Sequence, residues 1–261
     1  MPLVTLTTDF GISSPYVAQM KGVLLSICPD VRLVDVTHGI RPQDVSEGAV
    51  VLADVTPVFP ASTLHIAVID PGVGTARRLL YADFGGQRYL LPDNGLLTLV
   101  AQKNIPKLLI SLENRKYWRA EVCSTFHGRD ILAPVAAHLC RGVNPIELGP
   151  QVTDFIRLPW SDAAVGPCRI AGHIIYVDSL GNLITNITRQ QLNQIGPLAE
   201  SEVSLLGKTI VGIGSAYADS SPGSLIALCD SQGRLEIAMV NGNAARELAA
   251  LPGAAVEIAG R

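Results

Sequence analysis

Three side chains in the first half of this 261-residue chain have the chemistry to act on a bound molecule: Asp70, Arg77 and His127. Asp9 ends the run LVTLTT at 3–8, Asp35 follows RLV, and Asp70 ends LHIAVI. In an open parallel sheet the carboxyl ends of the strands face the ligand crevice, so acids that end strands converge near one edge. An Asp at a strand end also starts turns by bonding backbone two residues on, and for Asp35, followed by Thr37 and His38, that is the favoured reading. Asp70 differs because Pro71, Gly72 and Gly74 follow it, allowing a sharp turn and the close approach of another molecule. If that turn closes, Arg77 comes to lie beside Asp70; a plain ion pair accounts for the same spacing equally well. His127 precedes Gly128 at the mouth of an expected helix whose first turn carries Asp130. The helix dipole there opposes protonation and leaves an imidazole able to accept a proton from water, although a lone histidine is more often structural than catalytic.

The elements that must position these groups follow from periodicity. LVTLTT leads to Ser14-Pro15, a cap and first-turn proline, then Val17, Met20, Val23, Leu24 and Ile27 at helical spacing, stopped by Pro29. A strand at 31–38, a helix from Asp44 to Val55 and a strand at 64–70 complete a βαβαβ run. Such alternation specifies a mostly parallel sheet with helices on both faces. Runs at 79–84 and 87–92 around Gly85-Gly86 extend it as a hairpin, and helical stretches at 95–102 and 129–140 flank a strand at 107–113. After the stretch LPWSDAAVGP the pattern changes to short strands at 169–178, 183–187, 208–213, 225–229, 235–240 and 254–258, with one brief helix at 188–195 capped by Thr188. The expected organisation is therefore an N-terminal α/β domain over 1–160 that carries the catalytic candidates, and a smaller antiparallel β-barrel domain over 167–261.

Composition narrows the function. A net charge of −3 argues against a nucleic-acid binder, which needs a clustered cationic surface to release counterions. The N-terminus has no basic region before an apolar stretch, and no run approaches membrane-spanning length, so neither export nor a membrane partner is expected. Five scattered cysteines without metal-like spacing read as buried reduced thiols and point to a cytoplasmic protein. Charged residues form only 16% of the chain against 48% apolar, which favours an oligomer with apolar interfaces. The glycine loop is neither G-x-G-x-x-G nor a P-loop, so dinucleotide and nucleotide-triphosphate readings both fail.

Seven segments in order, TTDFG…PYVAQMKG (7–22), DVTHGI (35–40), IDPGVGTARR (69–78), PDNGLL (92–97), TFHGRD (125–130), DSLGNLITNI (178–187) and GRLEIAMVNGNAA (233–245), resemble the S-adenosyl-L-methionine (SAM) hydroxide adenosyltransferases. These are adenosine-forming SAM hydrolases related to the fluorinase and chlorinase enzymes. The resemblance implies a homotrimer in which SAM, the substrate, binds between the first domain of one chain and the second domain of its neighbour, with no metal and no further cofactor. It carries a catalytic Asp, Arg and His onto Asp70, Arg77 and His127. Its binding residues fall on Asp9 for the ribose hydroxyls, Asp178 for the methionine ammonium, Asn182 for the adenine edge, Ser231 for the methionine carboxylate and Tyr217 for the face of the base; Tyr217 serves equally as packing.

The reaction so implied is displacement at ribose C5′ by water or hydroxide, expelling methionine as a neutral thioether. Arg77 is expected to lower the pKa of the bound water, His127 to position it and to be a candidate acceptor of its proton, and Asp70 to orient water and hold the cation. The halide-using relatives carry Tyr at the positions of Asp70 and His127, Ser at that of Gly128 and Trp at that of Gln43, with an inserted loop that 81–95 lacks; Leu180 replaces a frequent aromatic. Hydrolysis is therefore expected over halogenation, and an anionic Asp70 would repel a halide. The competing readings are a trimeric SAM or adenosine sensor without significant turnover, and a halide-dependent adenosyltransferase.

Overall fold

The computed structural model describes residues 1–260, in two compact units, 1–159 and 160–260. In the first, a six-stranded sheet runs in the order β2-β1-β3-β5-β4-β6. Strands β1 (Leu3–Thr8), β2 (Arg32–Thr37) and β3 (Leu64–Val68) alternate with helices α1 (Tyr16–Ile27) and α2 (Val45–Val55). Parallel pairing joins β2 to β1, β1 to β3 and β3 to β5 (Gln87–Pro92), while β4 (Leu79–Phe84) pairs antiparallel with β5 and with β6 (Pro106–Ser111). The mostly parallel sheet and the hairpin around Gly85-Gly86 are as expected.

The chain enters at β1, crosses to β2 on one side, then returns past β1 to β3 on the other. Two right-handed crossovers in opposite directions put α1 and α2 on opposite faces, and the crevice opens where the direction reverses, beyond the carboxyl ends of β1 and β3. Thr8 pairs in register with Val68, so Asp9 and Asp70 emerge there side by side. One face of the sheet packs Val4, Leu6, Leu64, Ile66 and Val68 against Met20 and Leu24 of α1 and Val135 and Leu139 of α4 (Ala133–Cys140), while Val100 of the short α3 (Val100–Lys103) is also buried. On the other face of β3, His65 is fully buried, bonds Thr5 Oγ1 through Nδ1 at 2.7 Å, and is pushed by that burial down to about 4.

Several local expectations change. Ser14 caps nothing; Pro15 stands at the N-cap of α1 in helical conformation, whereas Asp44 does cap α2, accepting from Glu47 N at 2.8 Å. The helix expected at 95–102 is confined to α3, because Gly95 takes φ +110° and Thr98 turns back onto its carbonyl. The helix expected at 129–140 begins as a π-turn over Gly128–Leu132 before α4, since Pro134 has no N–H to continue an i→i−4 ladder. Asp35 lies inside β2 rather than at its end and pairs with Lys21 at 2.6 Å; the turn beyond uses Thr37 Oγ1, which accepts from Gly39 N. The cysteines are all free, but only Cys28 is buried; Cys123 and Cys168 are exposed.

The second unit is an antiparallel barrel-like sheet in the order β11-β10-β14-β8-β9-β13-β12, with β7 (Ala164–Gly166) paired to β8. Strand β8 (Arg169–Val177) binds β14 (Ala255–Ala259) along its first half and β9 (Leu183–Thr188) along its second, so it bends from one side of the barrel into the other. Helix α5 (Arg189–Leu192) follows, with Thr188 and Gln191 forming a capping box. The hairpin β10 (Glu202–Leu205) to β11 (Lys208–Val211) turns on Leu206-Gly207, both at positive φ, an unusual pair that hid β10 in the sequence. Beyond β11, Gly214 bridges to Leu228 of β12 (Leu225–Cys229), which pairs with β13 (Arg234–Met239), so the sheet nearly closes. Strand β7 and helix α6 (Ala244–Leu248) are further unexpected elements; Ile170, Leu183, Val203, Leu235 and Ile258 fill the interior. Among the described residues no helix is long and apolar enough to cross a membrane.

Candidate active site

Backbone bonds close the turn after β3: Val73 N donates to Asp70 O at 3.2 Å and Thr75 N to Gly72 O at 3.1 Å. Gly74 takes φ +84°, and a Cβ there would meet Ser124 O at 2.8 Å, so only glycine lets the turn lie against the segment leading to His127. The closure brings Arg77 onto Asp70. Nε donates to both carboxylate oxygens at 2.6 and 2.8 Å and Nη2 to Oδ2, and the two side chains are only 8% and 7% exposed. Nη2 also lies 3.1 Å from His127 Nδ1. A guanidinium can only donate, so Nδ1 is the acceptor and the proton of the neutral ring is on Nε2.

That tautomer agrees with the ring's surroundings. Burial lowers the pKa of His127 from its ordinary 6.5 and the Arg77 charge lowers it further, against weaker opposition from Asp70 and Asp130. The imidazole stands at the N-cap of the π-turn, held there by Asp130, which is fully buried. Asp130 accepts from Arg129 Nε at 2.7 Å, Arg119 Nη1 at 2.7 Å and Cys123 N at 2.9 Å. Burial alone would raise this carboxyl, but those donors outweigh it and hold it below the usual carboxylate range. One acid thus ties the segment before His127 to the turn after it.

A cavity of about 240 Å³ opens beside these groups, lined by Asp9, Gln43, Asp70, Val73, Phe126 and His127. Asp9 Oδ2 accepts from Gln43 N at 2.8 Å, and Gln43 takes φ +66° to make that bond. Gly128 closes the floor: a Cβ there would lie 3.2 Å from Met20 Sδ and 3.3 Å from Val68 Cγ2, so a serine hydroxyl has no ready room.

The remaining binding candidates belong to the second unit. Asp178 and Asn182 form the β8–β9 turn, with Oδ1 accepting from Leu180 N and Asn182 N at 2.8 Å each and Oδ2 from Asn182 Nδ2 at 3.0 Å. Tyr217 is half-exposed and donates its hydroxyl to Glu236, a buried acid whose pKa is raised first by burial. Asp178 lies near enough to raise both Tyr217 and Glu236, so these groups share one region. Ser231 sits on the β12–β13 turn, and its neighbour Asp230 also lies near enough to raise Tyr217 and Glu236, so that turn borders the same region.

Family models for the N-terminal and C-terminal domains of the SAM hydroxide adenosyltransferases match residues 4–149 and 172–257. The chain belongs to that family. It is 37% identical over 258 residues to the (R)-S-adenosyl-L-methionine hydrolase of Salinispora tropica, covering 97% of this chain and 95% of the relative. The hydrolase of the same name from Thermus thermophilus is 36% identical, covering 98% of each chain. A fluorinase from an Actinoplanes species is 33% identical over 78% of each. A crystal structure of an uncharacterized conserved protein from Thermotoga maritima superposes with a TM-score of 0.93 at 32% identity, covering 98% of this chain and 99% of the other.

Residue types alone did not single out the groups that hold the 70–77 turn in place. Asn94 Nδ2 donates to Ile69 O at 2.8 Å, fixing the residue before Asp70. Its neighbour Asp93 accepts from Arg78 Nε and Nη2 at 2.9 and 2.6 Å, fixing the residue after Arg77, and Asp93 N donates to Arg78 O at 3.0 Å. One dipeptide at the end of β5 therefore clamps both ends of the 70–77 turn. The signal was the segment PDNG itself, whose two polar side chains follow a fully apolar strand end. Asn94→Ala is expected to leave Ile69 O without that donor and to lower stability by about 1 kcal/mol, read as a fall in melting temperature.

Proposed function

We propose that this protein hydrolyses SAM to adenosine and L-methionine by attack of water or hydroxide on ribose C5′. The observation that carries the reading is the contact of Asp70, Arg77 and His127 at the wall of a cavity that also holds Asp9. The carboxylate of Asp9 is suited to accept bonds from the two ribose hydroxyls. The leaving group departs as a neutral thioether, so no acid is needed. The task is to align one oxygen behind C5′ and strip it of competing partners.

Asp70 offers about four lone-pair sites, of which Arg77 occupies three, leaving one on Oδ1 to take a hydrogen of the nucleophile. His127, with its proton on Nε2, donates to the nucleophile's oxygen. This assigns the imidazole to orientation and makes Asp70 the nearer proton acceptor, a change from the roles expected of residue types alone. Arg77 links the two and sets their spacing. Because Arg77 neutralises Asp70, halide is disfavoured by the free acceptor site on Asp70 Oδ1, to which it has no hydrogen to donate, and by the filled space at Gly128 rather than by a bare negative charge.

The cavity in the first unit is below the roughly 300–1,000 Å³ usual for small-molecule sites. This supports completion of the pocket by Asp178, Asn182, Tyr217 and Ser231 of a neighbouring chain in a homotrimer. The half-exposed Tyr217 and the largely exposed Leu180 beside Asp178 fit that role. The reaction draws on no metal or cofactor beyond SAM, and five free cysteines fit a cytoplasmic setting.

Incubation with SAM is expected to release adenosine and methionine in equal amounts over many turnovers, with no 5′-halo-nucleoside when chloride or fluoride is added. Tight binding without product would favour a sensor, and a halo-nucleoside would favour adenosyl transfer to halide. Sedimentation is expected to give three times the 27.7 kDa chain mass. A monomer at micromolar concentration would contradict the shared pocket.

The pH dependence follows from His127. Its pKa is lowered, so the neutral form that accepts from Arg77 is present above pH 6.5, and turnover falls only as pH drops through the depressed value. His127→Gln is expected to cost about 100-fold in kcat and to remove that acid limb from the pH–rate profile.

A further inference from the structure

Behind the Arg77–His127 contact lies a second, larger cavity of about 660 Å³ in the same unit, lined by Arg77, Glu113, Arg115, Trp118, Ala120 and His127 among others. His127 borders both cavities, so its ring is part of the partition between them. The rim at Glu113, Ala120 and Val122 is exposed, which opens this chamber to solvent. Three of its four guanidinium groups are already paired, Arg77 with Asp70, Arg78 with Asp93 and Asp154, and Arg119 with Asp130, while the fourth, Arg115, lies over the Trp118 ring at 5.5 Å and Glu113 adds a carboxylate to the lining. A site built for an anion would keep several guanidinium groups unpaired and hold no carboxylate. At about 30 Å³ per molecule the chamber has room for about 20 waters.

We propose that this rear chamber is the water-entry and proton-exit route of the reaction, a role that rests on the SAM-hydrolysing reading above. In-line displacement puts the nucleophile between C5′ and the wall carrying Asp70 and His127, so bound SAM plugs the front cavity. The O–C5′ bond forms, the C5′–S bond breaks with its electron pair remaining on sulfur, and one O–H bond of water is lost. The positive charge of the sulfonium therefore reappears as a proton in a site closed on the substrate side. A file of water past His127 into the rear chamber carries that proton out and supplies the next nucleophile.

Ala120→Trp and Val122→Trp each fill the rear chamber from its rim without touching the front cavity. For folded variants with wild-type melting temperatures, kcat is expected to fall about tenfold or more, adenosine Kd to stay within about twofold, and the solvent deuterium isotope effect on kcat to rise as proton escape becomes limiting. Wild-type kcat and isotope effect in both variants would overturn the conduit while leaving SAM hydrolysis intact. A loss of adenosine affinity parallel to the loss of kcat would also overturn it, since the front cavity would then have been disturbed. Failure of the unaltered protein to form adenosine would overturn both readings.

Discussion

A carboxylate and a guanidinium can be kept together out of water only where the geometry leaves few of their hydrogen-bonding sites empty, because each ion alone costs several kcal/mol to bury. The contact between Asp70 and Arg77 meets that condition with three donor contacts from one side chain to the other. The surrounding architecture serves this pair. Strand β3 delivers Asp70 to the point where the sheet order reverses, glycines fold the following turn flat, and the Asp93–Asn94 clamp holds both ends of it. Removing one partner would strand a buried charge, a loss of about 3–5 kcal/mol that is large against the whole stability of a domain.

His127 depends on the same pair for its chemical state. Taken alone, a histidine at the start of a helical segment is kept neutral by the dipole; here burial and the Arg77 charge do more, and the Arg77 N–H selects the tautomer. The ring proton is therefore on Nε2, the nitrogen that does not meet Arg77. Asp130 lies outside the reacting group and fixes the segments on both sides of the ring. The π-turn it anchors arises from Pro134, so a missing backbone donor several residues away sets the position of an imidazole.

The two units differ in how they bear on binding. In the first, Asp9 is held by the strained Gln43 backbone and faces the cavity with one oxygen already engaged. In the second, the Asp178 carboxylate is largely consumed by its own hairpin, so a ligand ammonium would share oxygens that already accept three bonds. Glu236, buried against the Tyr217 hydroxyl, adds a second acid to that region which no turn or strand-end pattern announced, because inside a strand reading LEIA it looks like an ordinary outward-facing charge.

Much of this was legible in the residues. Alternating apolar runs and helical spacing specify the parallel βαβαβ half, since burying both faces of a sheet leaves no other pattern; Asp44 and Thr188 mark helix starts because their side chains satisfy free N–H groups. Strand-end acids and a glycine turn point to Asp9, Asp70 and Arg77 for the same local reasons. Local signals failed at an unusual turn, Leu206-Gly207, and at the helix interrupted around Pro134, and they failed where a contact distant in sequence decided the outcome: the clamp from Asp93 and Asn94, and the rear chamber. Which proton His127 carries was likewise undetermined until folding set Arg77 against it. Residue type fixes what a group can donate or accept, whereas its partner, and hence its role, is chosen by packing between segments that the chain order keeps apart.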